Sequence, residues 1–124
     1  MGEKQDNASR NHSAADSRMR GDAPPPVVVV IDDDQLILLA IGTALAGAGM
    51  LCHTALTGEE GLRIIRELVP DLVLLDIRLG GQDGFTVCQE IRRTWSAEAM
   101  PVVMVTGLED LHSILTAYQA GAND

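Results

Sequence analysis

Five consecutive β-branched residues, Val27-Val28-Val29-Val30-Ile31, constrain the fold more than any other feature of the chain. Successive side chains of a strand point to opposite faces, so an unbroken apolar run must be covered on both. A second run, Leu72-Val73-Leu74-Leu75, has the same character. Both end in carboxylates: Asp32-Asp33-Asp34 after the first and Asp76 after the second. Two such strands emerging side by side would pool these acids in one pocket, which either binds a divalent cation or does chemistry with one.

From Val27 onward, strand-like and helix-like segments alternate. Gln35 to about Ala48 reads as a helix capped by Asp34, apolar nearly all round and therefore packed on more than one side. Leu51–Ala55 is a short second strand. A second helix opens at Thr57-Gly58-Glu59-Glu60 and stops at Pro70, with Leu62, Ile65 and Leu68 or Val69 inward. Asp71–Asp76 is the third strand, followed by the glycine-rich stretch Leu79-Gly80-Gly81-Gln82. Asp83 caps a third helix with Phe85, Val87, Cys88 and Ile91 inward. Pro101–Val105 is a fourth strand, ending in Thr106-Gly107, and a fourth helix runs from about Glu109 to Ala120, with Gly121 as its stop. Four βα units with right-handed crossovers give an α/β fold, a doubly wound parallel sheet with helices on both faces. Ligands of such sheets bind at the carboxyl ends of the strands, where strand order reverses. Asp32, Asp33, Asp76 and Thr106 all lie at those ends.

Residues 1–26 are polar, of mixed charge, and end in Pro24-Pro25-Pro26; they read as a flexible tail or linker ahead of a domain at 27–124. The tail holds four basic and four acidic groups, so the formal net charge of −9 belongs wholly to the remainder. So acidic a domain argues against nucleic acid as a direct ligand. Lys4, in the tail, is the only lysine. Cys52 and Cys88 lack metal-type spacing and read as buried free thiols of a reducing compartment. Residues 35–52 carry no charge, but Gly42, Gly47 and Gly49 suit a buried helix and strand better than a membrane span. No apolar signal-peptide region appears in residues 1–23, and a cytoplasmic protein is expected.

Val30-Ile31-Asp32-Asp33-Asp34, Asp71-Leu72-Val73-Leu74-Leu75-Asp76, Gly81-Gln82-Asp83-Gly84-Phe85, Pro101-Val102-Val103-Met104-Val105-Thr106-Gly107 and Gly121-Ala122-Asn123-Asp124 resemble the receiver domain of two-component response regulators, in order and spacing. The resemblance implies a flavodoxin-like sheet of order 2-1-3-4-5 in which Asp76 accepts a phosphoryl group from a histidine kinase or phosphotransfer protein. It implies Mg²⁺ held by Asp32, Asp33, Asp76 and the backbone carbonyl of Arg78, with Thr106 donating to a phosphoryl oxygen and reporting its presence by moving. Residue chemistry agrees. Two carboxylates about 4 Å apart repel by roughly 4 kcal/mol at an effective dielectric of 20, so three must raise a pKa or recruit a cation. Mg²⁺ prefers oxygen ligands and commonly shares its site with phosphate oxygens.

Plainer roles compete at each position. Asp34 and Asp83 read as helix caps, Arg78 offers a solvated side chain, Thr106 could be a turn residue, and His12, His53 and His112 have no partner spacing. The chain also departs from the family. The aromatic residue and the lysine expected shortly after Asp124, on a fifth strand preceding a fifth helix, lie past its last residue. A charge-assisted contact contributes about 1.5–3 kcal/mol, so phosphorylation or its signalling is expected to be impaired by about tenfold or more. A domain without its last strand and helix is also expected to self-associate through the edge at Val102–Val105. Family members usually carry proline where Gly80 stands, which should leave that loop looser. An output domain attached beyond Asp124 would complete a longer protein. Two other functions fit less well: a haloacid-dehalogenase-type phosphatase using Asp32-Asp33-Asp34, which also needs a catalytic lysine, and a degenerate receiver acting only as an interaction module.

Overall fold

A computed structural model describes residues 24–105. Within them β1 (Val27–Ile31), α1 (Gln35–Gly47), β2 (Leu51–Ala55), α2 (Gly58–Leu68), β3 (Leu72–Asp76), α3 (Gly84–Arg92) and a last strand (Val102–Val105) follow the expected alternation. Two further strands of two residues each, β4 (Arg78–Leu79) and β5 (Gln82–Asp83), lie between β3 and α3, so the last strand is β6. The main sheet is parallel, in the order β2-β1-β3-β6. The expected fourth helix and Thr106 lie outside the described residues.

The apolar runs do what their pattern requires. Val28, Val30 and Leu74 face one side of the sheet and pack with Leu38, Ile41 and Leu45 of α1. Val29, Ile31, Val73 and Leu75 face the other side and pack with Ile65 of α2 and Val87 and Ile91 of α3. The last four residues of β1, Val28 to Ile31, are at most 1% exposed. Burying an aliphatic side chain of this size contributes about 1.5–3 kcal/mol, so these two strands dominate the core.

The helix starts are set by side-chain caps. Asp34 accepts from the Leu36 and Ile37 amides at 2.9 and 3.3 Å, Thr57 from Glu60 at 3.1 Å, and Asp83 from Thr86 at 2.9 Å. Each cap satisfies amide groups that the first helical turn leaves without partners.

Several expectations need correction. Phe85 is 55% exposed and points away from the core that Val87 and Ile91 enter. It stands two positions before Val87 and six before Ile91, spacings of about 200° and 600° at 100° per residue, off their common face. Leu68 and Val69 also face outward, because α2 ends there and Val69 turns left-handed, with φ of 46°. Among the described residues, helix α1 packs on the sheet with one side only: Leu36 and Leu39 are 76% and 68% exposed. Cys52 and Cys88 are half-buried rather than buried, and burial pushes the Cys52 thiol pKa up. Asp71 precedes β3; its carboxylate accepts from the Val27 amide at 2.8 Å.

Candidate metal centre

Strand register places the acids. Ile31 is the Cα partner of Leu75, so the residues that follow them, Asp32 and Asp76, emerge together from neighbouring strand ends. This is where the strand order reverses, β2 lying on one side of β1 and β3 on the other. Asp32, Asp33 and Asp76 each offer a carboxylate oxygen within 4.8 Å of the other two. Asp32 is buried, at 4% exposure, Asp76 is half-buried and Asp33 is exposed.

Hydrogen bonding leaves part of each group free. Asp32 Oδ1 accepts from the Asp34 amide at 2.9 Å, and Asp76 Oδ1 accepts from the Arg78 amide at 3.3 Å. Their Oδ2 atoms accept no hydrogen bond from the described residues. Burial pushes the Asp32 carboxyl pKa above its ordinary value. The Asp34 amide works against that rise, while the negative charges of Asp76, Asp33 and Asp34 add to it. Like-charged carboxylates no more than 4.8 Å apart repel by about 3.5 kcal/mol or more at an effective dielectric of 20, before salt screening. A small divalent cation among three oxygen donors removes that repulsion, and the all-oxygen donor set fits magnesium.

The stretch after Asp76 is more ordered than its glycines suggest. Arg78 pairs with Asp83 and Leu79 with Gln82 across a two-residue turn at Gly80-Gly81. Gly80 has φ of +62° and Gly81 does not share it, the pattern of a type II′ hairpin turn. The loop expected to be loose is therefore a paired hairpin, with the Leu79 side chain buried in the core. A Gly-Gly pair between Leu79 and Gln82 is the sequence signal that could have found it. Arg78, at the root, has an exposed side chain. Gly84 approaches the site from behind. Its amide donates to the Ile77 carbonyl at 2.6 Å, and a Cβ there would collide with the Asp76 carbonyl oxygen.

Asp34 stands apart from the three acids, its carboxylate taken up as the α1 cap. That occupies the second acid an Asp-x-Asp phosphatase motif would use, and Asp32, the first, is buried.

The family model for the response regulator receiver domain matches residues 28–124. The transcriptional regulatory protein AfsQ1 of Streptomyces coelicolor is 39% identical over 88 residues, covering 71% of this chain and 38% of that protein. The DNA-binding transcriptional regulator NtrC of Escherichia coli is 40% identical over 81 residues, 65% of this chain and 17% of NtrC. The chain thus spans well under half the length of either relative. Among solved structures, the N-terminal domain of a response regulator receiver protein from Methanoculleus marisnigri superposes with a TM-score of 0.61 at 34% identity, covering 65% of this chain and 66% of that one. The BeF3-activated receiver domain of Klebsiella pneumoniae RstA gives 0.59 at 34% identity, covering 64% and 66%. With the sheet order, the motifs and the family match in agreement, this chain belongs to the response regulator receiver domain family.

Proposed function

We propose that Asp76 is the phosphoacceptor of this receiver domain and that Asp32, Asp33, Asp76 and the backbone carbonyl of Arg78 hold Mg²⁺ beside it. The meeting of three carboxylates within 4.8 Å at the ends of β1 and β3 is the observation that carries this reading. The donor is a phosphohistidine of a kinase or phosphotransfer protein. A carboxylate oxygen of Asp76 bonds to phosphorus as the N–P bond breaks, and the released imidazole keeps the electron pair and takes a proton. Held by Asp32, Asp33 and Asp76, magnesium would supply charge neutralisation for the transferring phosphoryl group. Asp32 and Asp33, fixed at the end of a buried strand, hold the cation without themselves reacting. Asp76, half-buried at its strand end, keeps one oxygen on the Arg78 amide and presents the other for attack. Thr106 follows Val105, the Cα partner of Asp76, and donates its hydroxyl to a phosphoryl oxygen.

On this reading the transferred group makes the domain a signalling switch rather than a turnover enzyme, acting in the cytoplasm on an output domain. Among the described residues no helix is long and apolar enough to cross a membrane. Strand β6 pairs only with β3 among the described residues, and a second copy of the 124-residue polypeptide would add a strand on its other side.

Incubation with acetyl phosphate and Mg²⁺, followed by intact mass spectrometry, tests the assignment. The wild-type chain should gain one hydroxylamine-labile phosphoryl group, and Asp76→Asn should gain none. Labelling that survives in Asp76→Asn and vanishes in Asp32→Asn would move the chemistry to the phosphatase-type nucleophile.

A further inference from the structure

The acidic nest has two rigid walls and one weakly built one. Asp32, Asp33 and Asp76 stand on the ends of strands buried in the sheet, but the β4–β5 hairpin has only two residue pairs. A ladder that short is not stable alone, so the hairpin's position depends on what it touches. Its root is held by the Arg78 amide on Asp76, and Leu79 is buried beneath it. Its tip reaches the site: a Cβ at Gly80 would lie 3.4 Å from Asp33 Oδ2.

The far strand of the hairpin has its own anchor. Gly58, the buried first residue of α2, has its bare Cα covered by the Gln82 side chain. A Cβ there would collide with Gln82 Oε1 and lie 3.2 Å from Gln82 Cδ and 2.6 Å from Val87 Cγ2. Gln82 is exposed as a residue, but the end of its side chain, Oε1 and Cδ, is what rests on the glycine. Gln82 is also the ladder partner of Leu79, the residue between Arg78 and Gly80. Moving Gln82 therefore moves the segment that carries the Arg78 carbonyl and the tip over Asp33.

We propose that Gln82 is a positioning residue for the magnesium nest: by packing on Gly58 it pins the β4–β5 hairpin, and with it the Arg78 carbonyl and Gly80, against Asp33 and Asp76. The contact is one of shape, and no hydrogen bond from the Gln82 amide is found among the described residues. The proposal rests on the assignment of Asp32, Asp33 and Asp76 as magnesium ligands.

Calorimetric titration of Mg²⁺ into the 124-residue chain, with Gln82→Ala and Gln82→Met beside the wild type, tests it. Loss of a group that orients a ligand typically weakens metal binding by about tenfold or more. Gln82→Ala should show a weakening of about that size, with an unchanged melting temperature in the absence of metal, because an exposed side chain is removed. Gln82→Met, which keeps the length and drops the amide, should restore wild-type affinity. Phosphorylation of Gln82→Ala by acetyl phosphate should recover the wild-type rate at saturating Mg²⁺. An unchanged or tighter Mg²⁺ affinity in Gln82→Ala, a Gln82→Met variant as weak as alanine, or a rate deficit that persists at saturating Mg²⁺ would each overturn the positioning role. Absence of any saturable Mg²⁺ heat in the wild type would overturn the metal assignment itself, a result distinct from the other three.

Discussion

Asp32 carries an electrostatic burden, being buried and facing the negative charges of Asp76, Asp33 and Asp34. Its folded-state pKa lies above the unfolded value, so the folded state binds more protons in that interval. The favourable contribution is complete below the ordinary value of 3.8 and is lost as pH rises through the folded value. Asp32→Asn removes the charge while keeping the oxygen that accepts from the Asp34 amide. In metal-free buffer near neutral pH it should melt above the wild type, by about 4–8 °C for each kcal/mol of repulsion relieved. The advantage should shrink on acidification, and scanning calorimetry from acid to neutral pH reads it. A variant that melts lower at neutral pH would show the carboxylate is held favourably after all. The acids were legible in the sequence because each terminates a continuous apolar run, and such a run ends where the sheet does. Their unequal burial was not legible. It depends on register, which puts Asp32 beside Ala55 of β2, whose carbonyl accepts from the Asp32 amide, and leaves Asp33 in solvent.

At the scale of elements, helix caps were readable, and helix faces and the Gly80-Gly81 turn were less so. Asp34, Thr57 and Asp83 cap helices because short polar side chains before an apolar stripe accept from the first-turn amides. Phe85 misled because an aromatic residue in the first turn of a helix is expected to be buried, whereas here that turn carries Gly84 against the Asp76 carbonyl. Two glycines of this region should behave oppositely. Gly84→Ala would drive a methyl group into the Asp76 carbonyl oxygen and should cost about 1–3 kcal/mol, as overpacking does. A Cβ at Gly81 meets nothing within 4 Å, so Gly81→Ala should change stability by no more than about 0.5 kcal/mol. Urea denaturation of the pair checks both. The end of α2 holds a different kind of strain: Val69 is β-branched, exposed and left-handed, with φ of 46°. That conformation costs a branched residue roughly 1–2 kcal/mol, part of which glycine's greater unfolded-state freedom would offset. Val69→Gly should therefore raise stability by several tenths of a kcal/mol or more on the same denaturation curve, and a loss of stability would mean its side-chain contacts outweigh the strain.

Across the whole molecule, the doubly wound arrangement followed from the demand that β1 and β3 be covered on both faces, and the two apolar clusters meet it, one beneath α1 and one beneath α2 and α3. The β4–β5 hairpin did not follow from hydrophobic patterning, because two-residue strands carry no period. A cation that binds only the native arrangement stabilises it by mass action, by about 2.7 kcal/mol at a hundred times its dissociation constant. Adding Mg²⁺ at that level should raise the melting temperature of the wild type and leave Asp32→Asn nearly unmoved; an equal rise in both would locate the binding elsewhere. Because Asp32 and Asp76 are distant along the backbone and adjacent only across the central ladder, separating β1 from β3 pulls the two halves of the cage apart. An ion seated there works as a rivet through the middle of the sheet, and its grip would be felt chiefly in how slowly the molecule comes undone.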